Sequence, residues 1–340
     1  MSQNGSLAVS VIIPTHNRAA KLRVTLEALA EQETPSGLGW EVVVVDNGST
    51  DDTLEVFRAV AMRAPGRFRY VSEPSLGKSR ALNAGLKVAR GDVIALTDDD
   101  VSPAKDWVAT AATVLDTWKV DGAGGPILAH WEAPAPPWVL GSRRLLDILA
   151  IMDYDKPAML PVPAHMHHPQ IWGGNMVYRR ATLIGLGGFD PKLGPLGGRR
   201  FCGEDVDVVR RMLATGRGMA YDPALTVYHR VPSARLRRAY FRRVMWDMGE
   251  GDAFSTTTLP RGKSLFGVPV RRLIRVARSA MESALHTLQN RPGAFHDQLD
   301  CIHAAGFSWG QHRRAMRERR NGRPPRRAVS ASAPAIRADR

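Results

Sequence analysis

The stretch VIALTDDDV, residues 93–101, joins a core strand to three adjacent carboxylates. Four of its first five residues are apolar, which predicts a buried strand over Val93–Thr97. Asp98, Asp99 and Asp100 then follow without a break. Like charges this close repel and raise one another's pKa, so their place at the end of a core strand needs an explanation.

The first 120 residues or so alternate between strand and helix patterns, which predicts a doubly wound α/β sheet. Predicted strands lie in VSVIIPTHNR (9–18), WEVVVVDNGSTDDT (40–53), RFRYVSEP (67–74) and DVIALTDDD (92–100). Predicted helices lie at 18–32, at 104–118 and at 77–91, where Gly91 is the predicted stop. Four consecutive valines at 42–45 indicate a strand buried on both faces, as in a parallel sheet.

Polar segments follow three of these strands at the point where each strand ends. The segments are Pro14–Asn17, Asp46–Ser49 and Asp98–Asp100. In a doubly wound sheet, ligands bind beyond the carboxyl ends of the strands. We therefore expect the three segments to converge on one crevice, with the carboxylates at the mouth of a site rather than in the core.

Beyond residue 120 the pattern is less regular. We predict an ordered loop at 129–142, a strand at Asn175–Tyr178, a helix at 203–216 and a strand at 224–231. That helix is expected to bury Val206, Val209 and Leu213, and Gly216 is its predicted stop. We predict an α/β domain at 1–232, with a donor half at about 8–120 and an acceptor half at about 121–232. A helical basic region follows at 233–312, and an Arg/Pro/Ala-rich disordered tail at 313–340.

The net charge of +14 first suggests nucleic acid or an anionic membrane as a partner. Residues 311–340 contain ten arginines and two acids, Glu318 and Asp339, so much of the excess charge lies in this tail. A tail that only aids solubility explains this charge as well as a tail that binds a partner. We expect no nucleic acid as a partner. No apolar run reaches the ~18 residues of a membrane span, and the N-terminus lacks the basic start of a signal peptide. Cys202 and Cys301 form no framework and fit a reducing cytoplasm.

The carboxylates allow two interpretations when taken alone. Asp98 and Asp100 can point the same way if strand geometry persists, and such a pair suits magnesium or manganese, whose charge offsets the repulsion. Taken alone, however, the triplet is more typical of a cluster that caps the helix that starts just after it. Glu204, Asp205 and Asp207 open a helix in the same way, at a position where the helix dipole favours acids in any case.

Seven motifs occur in this order: SVIIPTHNR (10–18), VVVVDNGSTDDT (42–53), SLGKSRALNAGL (75–86), ALTDDDV (95–101), GGNMVYRR (173–180), GGFDPKLG (187–194) and GEDVDVVRRM (203–212). In these motifs the sequence resembles the family 2 glycosyltransferases, which are inverting enzymes. The resemblance covers about residues 8–230. It implies the GT-A nucleotide-diphospho-sugar transferase fold, a doubly wound and mostly parallel sheet, here followed by a helical C-terminal extension.

The resemblance also implies a role for individual residues. The implied donor-binding residues are Pro14, Thr15, Asn17, Asp46, Arg80, Asn83, Asp98 and Asp99. The triplet looks like the DxD motif, and the implied ligands of Mn²⁺ or Mg²⁺ are Asp98, Asp100 and His229. The implied general base is Asp205 or its neighbour Glu204, with Asp205 favoured. The implied acceptor-binding residues are Trp172, Gly173, Gly174 and Asn175. By itself, His229 is more typical of a packed strand histidine.

The chemistry is consistent with these roles. A nucleotide-sugar donor leaves as a nucleoside diphosphate, and a divalent cation stabilises the charge that grows on the leaving oxygen. The acceptor hydroxyl loses a proton as it attacks from the opposite face, which requires a carboxylate base there. We predict metal-assisted single displacement from a nucleotide sugar, with a UDP-sugar favoured, to a glycan, lipid-linked or small-molecule hydroxyl. Processive members carry a QxxRW motif that RRVMW (242–246) does not match, which favours single addition.

Other function classes remain open alternatives. A catalytically degenerate nucleotide-sugar or glycan-binding protein could share the fold, although the intact acidic motifs and His229 count against it. A sugar-nucleotide pyrophosphorylase would carry a glycine-rich opening, which IIPTHNR (12–18) lacks. A dinucleotide oxidoreductase would need a G-x-G-x-x-G turn after a strand, and none is present.

Three further features carry no firm role. HMHHP (165–169) clusters His165, His167 and His168 without defined ligand spacing, and we predict a loop over the cleft. Trp131 and Trp138 can stack on a sugar or pack in the core. The segment at 268–288 has an apolar stripe flanked by four arginines, and either it contacts an anionic membrane or the stripe packs on the α/β domain. The predicted stripe consists of Leu273, Ala277, Met281, Ala284 and Leu288.

Overall fold

A computed structural model of the chain describes residues 7–154, 156–160, 171–194, 203–255 and 263–320. The chain divides into two compact units, Met1–Arg237 and Arg238–Arg340. Five residues named above lie outside the described ranges: His165, His167, His168, Cys202 and Asp339.

The first unit alternates strands and helices, as the sequence predicts. Its strands are β1 (Leu7–Thr15), β2 (Trp40–Asp46), β3 (Phe68–Ser72), β4 (Gly91–Thr97), β5 (Val101–Pro103), β6 (Gly122–Gly124), β7 (Ile127–Trp131), β8 (Ala158–Leu160), β9 (Asn175–Arg179), β10 (Met219–Tyr221) and β11 (Val227–Val231). Its helices are α1 (Ala19–Ala30), α2 (Thr53–Ala61), α3 (Lys78–Val88), α4 (Trp107–Trp118), α5 (Pro137–Leu140), α6 (Arg143–Ile148), α7 (Arg180–Gly185) and α8 (Glu204–Ala214).

Within the described residues, eight strands form one mixed, mostly parallel sheet in the order β3-β2-β1-β4-β9-β6-β10-β8. Strands β1 to β4 are parallel where they pair, and β9 runs antiparallel between β4 and β6. The valine run is buried on both faces, since Val42 packs in a cluster with Leu22 of α1 and Val43 packs in a cluster with Leu82 of α3. The expectation of a doubly wound α/β sheet is thereby confirmed.

A smaller sheet positions one candidate ligand beside the acidic triplet. Strand β11 lies between β7, which is parallel to it, and β5, which is antiparallel. Because β5 begins directly after the triplet, the register pairs His229 with Val101, the residue that follows Asp100. The sequence predicts β11 but neither β5 nor β7, and a local pattern does not reveal which strands pair, so this pairing was not predicted.

Gly91 does not have the role that the sequence predicts. Helix α3 ends at Val88, and Gly91 is the first residue of β4, where it pairs with Leu7 of β1. A Cβ atom at Gly91 would lie 2.5 Å from the Ser10 backbone nitrogen. The glycine is therefore required by the close approach of two central strands rather than by a helix stop.

Two other local predictions also differ from the structure. In α8 the buried residues are Glu204, Val208 and Met212. Of the predicted face, Val209 and Leu213 are partly buried against the core and Val206 is exposed. The helix buries the face of Val208 because it packs with Tyr178 of β9 and Met219 of β10 in one core cluster, which the sequence pattern could not reveal. The segment 129–142, predicted as a loop, contains the end of β7 and the short helix α5.

The second unit is helical, as predicted. It contains α9 (Arg238–Ser255), the hairpin strands β12 (Ser264–Leu265) and β13 (Val268–Pro269), α10 (Val270–Leu288) and α11 (Ala294–Arg320). Because α11 continues to Arg320, residues 313–320 are helical and not part of a disordered tail, and residues 321–340 lie outside the described ranges. Among the described helices, none has both the length and the apolar content to cross a bilayer.

The close approach at Gly91 generates a stability prediction. Gly91→Ala should lower the free energy of unfolding by about 1–3 kcal/mol, because the new methyl group forces the backbones of β1 and β4 apart. Thermal unfolding followed by circular dichroism measures the change. Gly185→Ala is the matched control, since no atom lies within 4 Å of a Cβ built there. Equal melting temperatures for the two variants would contradict the packing argument.

Candidate active site

Asp99 lies at the junction between β1 and the acidic triplet. It is 3% exposed, and its Oδ2 accepts a hydrogen bond of 2.8 Å from the Thr15 hydroxyl. Its Oδ1 accepts one of 2.9 Å from the Arg18 guanidinium. Burial, together with the neighbouring Asp100, raises the pKa of Asp99 to about 6 despite these partners. Asp99 thus links the end of β1 to the end of β4.

Asp100 is surrounded by positive groups. Its Oδ2 lies 3.4 Å from Arg18, 3.3 Å from Lys21 and 3.3 Å from Arg235. The same oxygen lies 3.7 Å from Nε2 of the buried His229. Burial alone would raise the pKa of Asp100, but the adjacent His229 and the charges of Arg18 and Lys21 hold it well below its usual range. The carboxylate is therefore held in its charged form.

Lys78, at the start of α3, connects the triplet to the acidic helix α8. Its ammonium lies 2.6 Å from Asp98 Oδ1 and 3.6 Å from Glu204 Oε1. Burial works against this charge, but the two carboxylates raise the pKa of Lys78 above its usual value. Glu204 is 6% exposed, and burial raises the pKa of its carboxyl although Lys78 opposes the shift. Segments more than 100 residues apart in sequence thus meet at one ammonium group.

Asp205 faces the same region and is held by backbone groups. Its Oδ2 accepts a hydrogen bond of 2.9 Å from the Gly173 nitrogen, and its Oδ1 accepts one of 2.8 Å from the Val206 nitrogen. A Cβ atom built at Gly173 would lie 3.6 Å from Lys78 Nζ, and one built at Gly174 would lie 3.3 Å from Asp98 Oδ2. The two glycines thus lie between the acidic helix and the triplet.

Asp207 points elsewhere, as expected for the third acid of α8. It pairs with Arg210 at 2.8 Å and with Arg211 at 2.7 Å. Arg211 also donates to the carbonyl oxygens of Leu186 and Gly188. Asp207 therefore stabilises the turn after α7.

Asp46 and Asn17 organise the rim beyond β1 and β2. Asp46 Oδ1 accepts a hydrogen bond of 2.9 Å from the Ser49 nitrogen, and its Oδ2 accepts one from the Tyr70 hydroxyl. Asn17 has a positive φ of 52°, and its Oδ1 accepts a bond of 2.7 Å from the Thr50 nitrogen. Pro14, inside β1, pairs with Val45. The predicted convergence of the strand ends is therefore present in the structure.

Three predicted site residues are used elsewhere or point away. Asn83 bonds both the nitrogen and the oxygen of Phe189, at 2.9 and 2.8 Å. Asn175 is fully buried, where it accepts from Trp107 Nε1 and donates to the carbonyl oxygens of Pro126 and Leu225. Arg80 is exposed on α3. In this structure, Asn83 and Asn175 brace the fold, and neither they nor Arg80 join the triplet.

The structure also shows site residues that the sequence interpretation missed. They are Arg18, Lys21, Lys78, Arg235 and Tyr70. Arg18 and Lys21 follow the end of β1, so the rule that polar residues after strand ends converge could have found them. Arg235 has no such signal, because it reaches Asp100 only through the pairing of β11 with β5. Trp172 is half-buried and packs with both core clusters.

The residues around Asp100 suit a divalent cation in part. Two ligand atoms, each about 2.1 Å from one ion, can be up to about 4 Å apart, and Asp100 Oδ2 and His229 Nε2 meet this limit at 3.7 Å. Asp98 does not join them here, since its carboxylate pairs with Lys78. Among the described residues, no group of three or more His, Cys, Asp or Glu side chains is arranged to hold a metal. A bound molecule would be one source of further ligands.

Solved structures share the fold of this chain. The mannosyltransferase PcManGT from Pyrobaculum calidifontis, in complex with GDP-Man and Mn²⁺, superposes with a TM-score of 0.52 at 21% identity, over 95% of this chain and 77% of PcManGT. S. aureus TarS 1-349 in complex with UDP superposes with a TM-score of 0.51 at 18% identity, over 96% of this chain and 95% of TarS. At these identities the likeness concerns the fold alone, and the expected GT-A fold is confirmed.

Sequence relatives point to the same class of protein. The succinoglycan biosynthesis protein ExoM of Rhizobium meliloti (strain 1021) is 28% identical over 252 residues, which are 73% of this chain and 74% of ExoM. Validoxylamine A glucosyltransferase of Streptomyces hygroscopicus subsp. jinggangensis (strain 5008) is 32% identical over 226 residues, which are 61% of this chain and 52% of the relative. The profile described as Glycosyl transferase family 2 matches residues 10–181, about half of the chain. The chain therefore belongs to glycosyl transferase family 2 and is a glycosyltransferase enzyme.

Proposed function

We propose that the enzyme is a non-processive, inverting glycosyltransferase that moves a sugar from a nucleoside-diphosphate sugar to an acceptor hydroxyl in a single displacement. The observation that carries this proposal is the bridge formed by Lys78. Its ammonium contacts Asp98 of the acidic triplet at 2.6 Å and Glu204 of the acidic helix at 3.6 Å. A donor gripped at the triplet would therefore lie beside the carboxylates needed to activate an acceptor.

Proton removal is assigned to Asp205. The acceptor oxygen attacks the anomeric carbon and passes its proton to the carboxylate, and the bond from that carbon to the diphosphate oxygen breaks. Asp205 is half-buried, and two backbone N–H groups fix its orientation. Glu204 is more deeply buried and already paired with Lys78, which makes it less available to an acceptor. Asp205 therefore fits the role better than its neighbour.

The leaving diphosphate is assigned to the groups around Asp100. When bound, Mn²⁺ or Mg²⁺ would supply Lewis-acid stabilisation of the leaving group. Asp100 and His229 would hold the cation, and donor phosphate oxygens would complete the coordination, as is usual for magnesium. Arg18, Lys21 and Arg235 surround the same oxygen of Asp100 and can turn to the phosphates, which carry more charge than one carboxylate. Thr15, Asp99 and Asp98 would form the floor of this donor site.

The identity of the donor and the cellular location are proposed without support from a contact in the site itself. PcManGT was solved with GDP-Man and Mn²⁺, and TarS was solved with UDP, which supports a nucleoside-diphosphate donor here. We favour UDP, with Asp46 at the base and Gly173 and Gly174 near the acceptor. Polysaccharide assembly is the proposed context, because ExoM is a succinoglycan biosynthesis protein. We place the enzyme in the cytoplasm, with peripheral contact at the inner face of the membrane.

The first of three predictions from the proposed function concerns the cation. Asp100→Asn should abolish sugar transfer and weaken Mn²⁺-dependent UDP binding at least tenfold, because it replaces an anionic ligand of the cation with a neutral amide, and losing even an outer-shell partner costs about 10–100-fold in metal affinity. Isothermal titration calorimetry measures the binding independently of turnover. Asp106→Asn, an exposed position that follows the triplet by six residues, is the matched control. Full activity of the native enzyme in excess EDTA would refute the metal assignment.

The second prediction separates the two acids of α8. Asp205→Asn should reduce kcat by about 10²-fold or more, since it keeps the shape but removes the base. Donor binding, measured by calorimetry, should be retained. Glu204→Gln should chiefly raise the KM for the donor, because it releases Lys78. A nearly normal kcat for Asp205→Asn combined with an inactive Glu204→Gln would assign the base to Glu204 instead.

The third prediction concerns Lys78. Lys78→Met leaves Asp98 and Glu204 without their shared partner, so kcat/KM should fall roughly 10- to 100-fold, the range expected for a lost charged contact. Steady-state kinetics with a saturating acceptor measure the change. Lys87→Met makes the same substitution at an exposed position of the same helix and should behave as the native enzyme. If Arg80→Met lost more activity than Lys78→Met, the donor would lie along the exposed side of α3.

A further inference from the structure

Helix α10 packs on α11 through a face that is mostly polar. The Arg272 guanidinium lies 4.0 Å from the centre of the Phe307 ring. At the other end of the contact, His286 Nδ1 lies 2.7 Å from Asp297 Oδ2. Ser283, between them, is the buried residue of the helix. This contact fixes which side of α10 turns away from α11.

The opposite side of α10 carries the apolar residues. At 100° per residue, Val270, Ile274, Met281, Leu285 and Leu288 all lie within about 40° of the direction opposite to Ser283. Ile274 is 55% exposed, Met281 73% and Leu288 82%. We call these five residues the outer stripe of α10. It shares Met281 and Leu288 with the stripe expected from the sequence. It contains Val270, Ile274 and Leu285 where the expected stripe has Leu273, Ala277 and Ala284. A soluble helix normally packs with its apolar face, so this orientation requires a separate explanation.

The charges beside the outer stripe are mainly positive. Arg271, Arg275 and Arg278 lie along one flank, which also holds Glu282, the acid of α10. Arginines at such positions can extend their charged ends past an apolar surface while their stems stay on it. An apolar stripe with arginines at its edge matches a surface that is apolar inside and negatively charged outside. An anionic lipid bilayer has this structure.

A hairpin that leads into α10 exposes two more apolar side chains. Leu265 pairs with Val268, and the turn between them contains Phe266 and Gly267, both with positive φ. Phe266 is 66% exposed, and Leu265 is also exposed. The turn is fixed on α11, because His312 Nδ1 lies 2.9 Å from the Phe266 carbonyl oxygen. The outward position of the Phe266 side chain is therefore built into the hairpin.

We propose that the outer stripe of α10 lies in the interfacial layer of an anionic membrane, with its arginines at the lipid headgroups. The inference deepens the peripheral membrane contact that forms part of the proposed function, and it assigns that contact to particular residues. Leu265 and Phe266 are also exposed in the hairpin that leads into the N-terminal end of the helix. A second copy of the chain fits less well, because two such faces would bring like-charged arginine flanks together.

The experiment uses the full chain and vesicle co-sedimentation without donor or acceptor, so its result is independent of sugar transfer. Binding should be strong on vesicles of phosphatidylcholine with 30 mol% phosphatidylglycerol (about one third) and at least tenfold weaker on pure phosphatidylcholine. Met281→Asp should reduce binding to the anionic vesicles at least tenfold. Ala280→Asp introduces the same charge one residue earlier, at an exposed position outside the outer stripe, and should retain most of the binding.

Three results would overturn the proposal. The first is no binding of the native chain to either vesicle at low salt. The second is equal binding of Met281→Asp and Ala280→Asp, which would show that positive charge elsewhere attracts the chain. The third is a dimer in analytical ultracentrifugation without lipid that Met281→Asp dissociates, which would assign the outer stripe to a second copy. A normal rate of transfer to a water-soluble acceptor for Met281→Asp would show that the site itself is intact.

Discussion

The candidate active site depends on the neutralisation of buried carboxylates at one edge of a sheet. An unpaired buried charge costs several kcal/mol, and the chain places three acids in succession where β4 ends. Arg18, Lys21 and Arg235 converge on a single oxygen of Asp100, and Lys78 is paired with Asp98. The basic groups come from the ends of several elements, so the site can form only when the whole α/β unit has folded.

The same arrangement would allow a stable candidate site to exchange its partners for a ligand. The cations that stabilise the triplet contact groups that a negatively charged donor could replace, so binding exchanges one set of partners for another and leaves no charge unpaired. Lys78 extends this logic to α8, because it contacts Asp98 and Glu204 at the same time. A change in the charge of Asp98 therefore alters the electrostatic environment of Glu204, because Lys78 contacts both carboxylates.

The sequence by itself determined the layout of about the first 120 residues and the identity of the acidic groups. The valine run at 42–45 is buried on both faces because a central parallel strand has no exposed side, and this burial can be read from local pattern. The carboxylates after β4 lie at the site because strand ends in such a sheet share one edge. Both inferences use neighbouring residues only, and for that reason they could be made without the structure.

Only the tertiary structure decided which polar residues share the site and which support the fold. Asn83 and Asn175 have the same chemical groups as site residues, yet both are used by backbone groups far away in sequence. Arg235 reaches Asp100 through a pairing of short strands that carries no local signal. The apolar side of α10 is exposed because the helix packs on α11 through its polar face. Long-range pairing decides these outcomes, and the periodicity of one segment holds no information about its partner.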